Sequence, residues 1–203
     1  MKNEKLKIKN EREVYVLLAP PASGKDTQAA LLSEKLGLPV IATGDVVREL
    51  HAQGTQDGLR AVEYLTKGVW VPDTLIFKML RGYIRKFNLS RGAIFVAVPR
   101  RGTQCPMLEE LLKETGLKIR RVFHLDTHEA TILERLQKRV REDISGGKRK
   151  RQDDDIKVIK NRIREHKETV APILEYYRKK GILERIDNAK PIKEVFEEIV
   201  SKL

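Results

Sequence analysis

The stretch from Val14 to Gly37, VYVLLAPPASGKDTQAALLSEKLG, limits what this chain can fold into more than any other part of it. Its apolar opening, Val14–Ala19, reads as a strand. Its end, Thr27–Leu36, sets Ala29, Ala30, Leu32 and Leu36 at helical spacing, and Gly37 is a natural helix stop. Between them lies PPASGKDT. A Gly-Lys-x-Thr turn between strand and helix aims backbone N–H groups at an anion and lets Lys25 reach its terminal phosphates. The spelling departs twice from G-x-x-x-x-G-K-[ST], with Ala19 at the first position and Asp26 straight after the lysine. The plain alternative is an ordinary turn with a solvent-facing lysine, but G-K-x-T seldom sits at such a junction.

The rest of the chain alternates short apolar runs with helical periods, which predicts an α/β fold with a mainly parallel sheet. Strands are expected at Leu38–Ala42, Ala93–Val98, Ile119–Leu125 and Ile182–Ile186. Helices are expected at Asp45–Gln53, Gln56–Lys67, Asp73–Phe87, Met107–Glu114, His128–Arg141 and Asp153–Lys180, with Pro191–Leu203 closing the chain from a first-turn proline. Asp73 is the expected cap of its helix. Glu142–Lys150, EDISGGKRK, is polar, charged and glycine-containing, and is expected to be a surface loop.

At 203 residues, 40% hydrophobic and 34% charged, the chain suits one soluble, well-cored domain. It has no apolar run near the ~18–20 residues that cross a bilayer. The charged MKNEKLKIKNERE start lacks a signal peptide's apolar core. Cys105 is the only cysteine, which excludes an internal disulfide and an all-cysteine zinc site, and a cytoplasmic location is the default expectation. Nothing near Cys105 supplies a base, so it reads as a packing residue. The net charge of +12 fits a nucleic acid or a polyanionic small ligand. With five Phe, five Tyr and one Trp, and no interleaving of aromatic and basic residues, the small ligand is the better expectation.

Taken together, the motifs resemble those of adenylate kinase and the wider nucleoside monophosphate kinases, collinearly from about Val14 onward. The family loop runs G-x-P-G-x-G-K-G-T-Q, so Thr27 and Gln28 match, while Ala19, Ala22 and Asp26 replace glycines. T-G-D-V-V-R, from Thr43 to Arg48, resembles the family's T-G-D-x-x-R, whose threonine and arginine hold the acceptor monophosphate. G-V-W-V-P-D, from Gly68 to Asp73, is similar to G-x-L-V-P-D, which lines the acceptor base through backbone near Val71. V-A-V-P-R-R-G-T-Q, from Val96 to Gln104, is similar to D-G-F-P-R-T-x-x-Q, which implies that Arg100 meets the acceptor phosphate and Gln104 its adenine. Arg135 and Arg139, four apart on one helix, and Arg151 and Arg162 resemble the arginines on either side of the family's lid. Without the upstream motifs, pairing with Glu134, Asp153, Asp154 and Glu165 would be the simpler reading of those arginines. I-D-N-A-K-P-I-K-E-V resembles the loop that covers the donor adenine.

The resemblance implies a P-loop NTPase-type parallel sheet flanked by helices: a single domain over 12–203 with a small helical acceptor-binding insertion near 43–73, a short lid near 140–150 and a charged tail at 1–11. The short lid carries no Cys or His set, which excludes the zinc-bearing long form. The implied reaction is ATP + AMP to two ADP with Mg2+, in a monomer. Implied ATP ligands are Pro21, Ala22, Ser23, Gly24, Lys25, Asp26, Thr27, Arg135, Arg139 and Lys190. Implied AMP ligands are Thr43, Gly44, Arg48, Val71, Ala97, Arg100, Gln104, Arg151 and Arg162, and Lys25, Arg100, Arg139, Arg151 and Arg162 would act on the transferred group. Phosphoryl transfer needs positioning, positive charge and metal more than covalent help. The family's metal-side aspartate is Val96 here, and a valine supplies no oxygen. Asp45 remains, and Asp26 at the loop's exit is the expected replacement, each acting through water. Ala97 and Val96 keep open a kinase for another nucleoside monophosphate and a nucleotide binder without catalysis.

Overall fold

The computed structural model describes residues 12–67, 69–145 and 156–203. Five strands form one sheet in the order β2-β3-β1-β4-β5, and every neighbouring pair is parallel. They are β1 (Glu13–Leu18), β2 (Val40–Ala42), β3 (Gly92–Val96), β4 (Lys118–Asp126) and β5 (Leu183–Asp187). The helices are α1 (Lys25–Leu36), α2 (Thr43–Ala52), α3 (Gln56–Thr66), α4 (Asp73–Ile84), α5 (Gln104–Glu114), α6 (Glu129–Ser145), α7 (Ile156–Lys179) and α8 (Ile192–Ser201). Among the described residues, no helix is long and apolar enough to cross a membrane.

The sheet is apolar on both faces because helices cover both, as a parallel sheet requires. Tyr15, Leu17, Ile94 and Val96 face one core with Ala29 and Leu32 of α1 and Val195 and Ile199 of α8. Val14, Val16, Ala93 and Phe95 face the other, with Leu80 of α4, Leu108 of α5 and Tyr177 of α7. Each fully buried Leu, Ile or Val contributes roughly 1.5–3 kcal/mol. A third, small cluster joins Ile132 and Leu136 of α6 to Ile159 and Ile163 of α7, with Ala22 packed against it. It thereby fixes the two helices that carry Arg135 and Arg162.

The site's position follows from the strand order. β2 and β3 lie to one side of β1, and β4 and β5 to the other. Chain connections diverge there, and in open α/β sheets ligands bind at the carboxyl ends of such strands. Leu17 of β1 and Ala42 of β2 both register with Val96 of β3, so the loops that follow the three strands meet at one edge. Close by, α3 crosses α2 so tightly that a Cβ at Gly58 would lie 2.4 Å from the His51 nitrogen.

Several expected boundaries move, each for a local reason. β3 stops at Val96 because Ala97 takes φ 58°. α5 begins at Gln104, three residues earlier than expected, since Pro106 falls in a first turn where its missing N–H costs nothing. Asp73 is not the cap of α4: Pro72 occupies that position, and the Asp73 carboxylate instead accepts hydrogen bonds from Arg101, Thr103 and Gln104. α6 continues to Ser145 through part of the expected loop. Residues 1–11 and 146–155, with the remainder of the expected lid, lie outside the described residues.

Candidate active site

The loop after β1 turns through two left-handed residues before α1 starts. Ala22 has φ 56° and Gly24, at the helix cap, φ 90°. The turn brings Lys25, whose side chain is 14% exposed, to the mouth of a cleft of about 480 Å³. Pro21, Asp26, Gly44, Arg48, Arg100 and Arg162 line the same cleft. Four expected cationic ligands, from α1, α2, the segment after β3 and α7, thus converge on one space. Thr27 is exposed beside Asp26, in the first turn of α1.

Arg100 is held from two sides. Its Nε donates to the Ala97 carbonyl at 3.0 Å, and its Nη2 donates to Thr43 Oγ1 at 3.3 Å. Thr43 in turn donates to the Ala97 carbonyl at 3.1 Å. Water reaches Arg100, yet protein atoms crowd its guanidinium. This desolvation, with the like charge of Arg162, lowers its pKa to about 10, so it stays charged at neutral pH. Two arginines held this close gain most when a polyanion lies between them.

A second cleft, of about 750 Å³, opens between α6 and the turn after β5, lined by Arg135, Arg141, Ala189, Lys190, Pro191 and Ile192. Arg135 ties it to the phosphate loop: Nη1 donates to the Ser23 carbonyl at 2.5 Å and Nη2 to the Asn188 carbonyl at 2.8 Å. Asn188, 2% exposed, donates to the same Ser23 carbonyl at 2.9 Å and to Thr127 Oγ1 at 2.8 Å. Sequence reasoning assigned Asn188 nothing; its only signal is an amide standing where the resembling motif has glycine. Lys190 lines this cleft and pairs with Glu198 at 2.9 Å.

Other expected ligands are placed less directly. Val71 is 6% exposed, with its side chain in the core, which leaves its backbone for a ligand. Gln104 is 4% exposed, and its amide is engaged at both ends: Oε1 accepts from the Arg100 N–H at 2.7 Å, and Nε2 donates to Asp73 at 2.7 Å. Arg48 pairs with Asp45 and lies over Gly44. Arg151 lies outside the described residues, as does the side chain of Arg139. Trp70, Glu165 and His166 also line the first cleft, and none of the three was given a ligand role by the motifs. Glu165 and His166 follow Arg162 at helical spacing, the one signal that could have found them.

A family model described as adenylate kinase matches residues 17–182 of this sequence. The chain belongs to the adenylate kinase family. It is 35% identical over 184 residues to an adenylate kinase of Rhizobium meliloti (strain 1021), covering 91% of this chain and 96% of that one. To an adenylate kinase of Archaeoglobus fulgidus it is 35% identical over 205 residues, covering 91% and 94%. To one of Azobacteroides pseudotrichonymphae genomovar. CFP2 it is 37% identical over 187 residues, covering 92% and 95%.

As an adenylate kinase family member the chain is a nucleoside monophosphate kinase, which raises the question of metal. Among the described residues no three His, Cys, Asp or Glu side chains cluster as an all-protein cage. Mg2+ needs no such cage: one or two carboxylates with waters and phosphates suffice. Asp26 fits that role, since its carboxylate is 73% exposed at the loop's exit and 3.5 Å from Lys25. Asp45 lines the same cleft, and its pair with Arg48 is exposed on both sides, the kind of pair given up at little cost. Val96 is fully buried in the apolar core and offers no ligand.

Proposed function

We propose that this protein transfers the γ-phosphoryl group of ATP to AMP, giving two ADP. The observation that carries the reading is the convergence of Lys25, Arg48, Arg100 and Arg162 on one cleft at the end of the phosphate loop. The donor base would occupy the 750 Å³ cleft beside Lys190 and Arg135, with the triphosphate along Pro21–Thr27. The acceptor would lie in the 480 Å³ cleft, its phosphate between Arg48 and Arg100 and its base toward Ala97, while Val71 and Gln104 are assigned to the base by the resemblance alone. The 43–73 segment serves as the acceptor-binding insertion of a single domain.

Each residue then has a definite task. Backbone N–H groups at the start of α1 and Lys25 hold the terminal phosphates. Arg100 and Arg162 bring donor and acceptor phosphates together against their mutual repulsion and stabilise the charge of the in-line transfer. An acceptor phosphate oxygen forms the new bond to the γ-phosphorus while the β–γ bridging bond breaks, its electrons leaving on ADP. Mg2+ would neutralise phosphate charge, held through water by Asp26 and Asp45. We take the working form to be a cytoplasmic monomer.

The test is a chromatographic assay with ATP, Mg2+ and each of AMP, UMP, CMP and dTMP, with Lys25→Ala run alongside. ADP should form with AMP and disappear in the variant. A folded protein that binds ATP and turns over no acceptor would overturn the reading.

A further inference from the structure

Two histidines stand behind the phosphate site and have no place in the account so far. His124 lies on β4, in register with Leu18 at the end of β1. His166 lies on α7, one turn beyond Arg162. Their rings are 6.2 Å apart between centroids and 23° from parallel. Nδ1 of His124 and Nε2 of His166 are both sealed from water without a hydrogen-bond partner. Buried polar atoms nearly always have partners, so two neighbouring orphans call for a reason. The His166 ring also lines the 480 Å³ cleft with Lys25, Arg100 and Arg162.

We infer that His166 is a further phosphate-binding residue of this site, neutral before nucleotide binds and protonated once nucleotide phosphates fill the cleft. The inference rests on the phosphoryl-transfer reading above.

The charges around the imidazole explain both states. Lys25 faces it from α1, Arg100 from the segment after β3, and His124 and Asp126 from β4. Asp26, and Arg162 and Glu165 on its own helix, share the cleft with it. Without nucleotide, burial disfavours its charge first, and the neighbouring His124 ring and the cations Lys25 and Arg100 add to this. Together they hold its pKa near 4 against the opposing pull of Asp126. Bound tri- and monophosphate groups bring several negative charges onto the same cations. The local field then changes sign, and an imidazolium is attracted where it had been repelled. Protonation makes both ring nitrogens of His166 donors, so the ring that lines the cleft can offer an N–H to phosphate. One proton enters from solvent when nucleotide binds, and one returns when product leaves.

The experiment is calorimetric binding at pH 7 of a bisubstrate analogue, two adenosines joined by five phosphates. Run in two phosphate-free buffers of different ionisation enthalpy, it counts the protons exchanged. Comparison with His166→Phe cancels protons that belong to the analogue or to other residues. Wild type should take up close to one proton more than the variant. His166→Gln, which keeps polarity but cannot charge near neutral pH, should behave like the phenylalanine variant. In unmodified protein, the His166 ring carbon resonances should move to imidazolium positions on saturation, a readout that needs no variant to fold. Equal proton counts, or a ring that stays neutral, would overturn the inference while leaving phosphoryl transfer intact. An analogue that does not bind at all would overturn the parent reading itself.

Discussion

Ala22 and Ala97, both held at positive φ (56° and 58°), line the same cleft from the loops that follow β1 and β3. A left-handed conformation costs an L-residue with a Cβ about 1–2 kcal/mol. Glycine removes that strain but loses about 0.5–1 kcal/mol more entropy on folding. Ala22→Gly and Ala97→Gly should therefore each be neutral to about 1 kcal/mol stabilising, raising the unfolding midpoint by at most about 4 °C in a chain of this size. Thermal unfolding decides it, and a loss above about 1 kcal/mol in either variant would show that alanine is accommodated there without strain. Ala97→Gly should also lower the KM for AMP by opening the backbone to the acceptor base.

Arg100→Lys keeps the charge and loses the fork that reaches Thr43 and the Ala97 carbonyl together. Turnover should fall by roughly 10²-fold or more. The unfolding midpoint should hardly move. Activity within threefold of wild type would remove Arg100 from the transfer step.

Asp26→Gly restores the residue of the resembling motif and tests the metal assignment. If Asp26 takes over the role left vacant by Val96, the variant should need several-fold more Mg2+ for half-maximal rate. An unchanged Mg2+ dependence would mean that Asp26 merely neighbours Lys25.

Asn188→Gly removes two buried donors, to Ser23 and to Thr127. Stability should drop by roughly 1–3 kcal/mol. The KM for ATP should rise while the KM for AMP stays put, because the bonds lost belong to the donor side. Equal changes in both constants would show a general loosening instead.

Stability should also fall on mild acidification. Burial lowers the pKa of both His124 and His166 below the usual 6.5, that of His166 to about 4. Between those values the unfolded chain binds protons that the native state refuses, so unfolding is favoured progressively as pH drops from about 6.5. Each histidine contributes at most about 1.4 kcal/mol per pH unit. Denaturant titrations at pH 7, 6 and 5 should show the loss, and His166→Phe should flatten the slope. A wild-type slope unchanged by that substitution would contradict the assignment.

Much of this was legible in the residues. The strand-loop-helix around PPASGKDT and the apolar runs identified the parallel sheet, because parallel strands buried on both faces leave a contiguous signal. The resemblance implied that Lys25, Arg48, Arg100 and Arg162 serve one site, and the structure brings all four to one cleft. What stayed hidden depends on tertiary neighbours. Asp73 looked like a cap until Arg101, Thr103 and Gln104, thirty residues on, claimed its oxygens. Asn188 carries no local sign that it ends on the phosphate loop. His166 is one polar residue among many on a long helix, and only its place beside His124 and in the cleft sets it apart.

The Ser23 carbonyl, shared by Arg135 and Asn188, also bears on motion. A phosphate loop laced to both the α6 arginine and the turn before α8 cannot shift without straining both bonds. A change at either tie, at Arg135 or at Asn188, is therefore felt in the backbone of the phosphate loop itself.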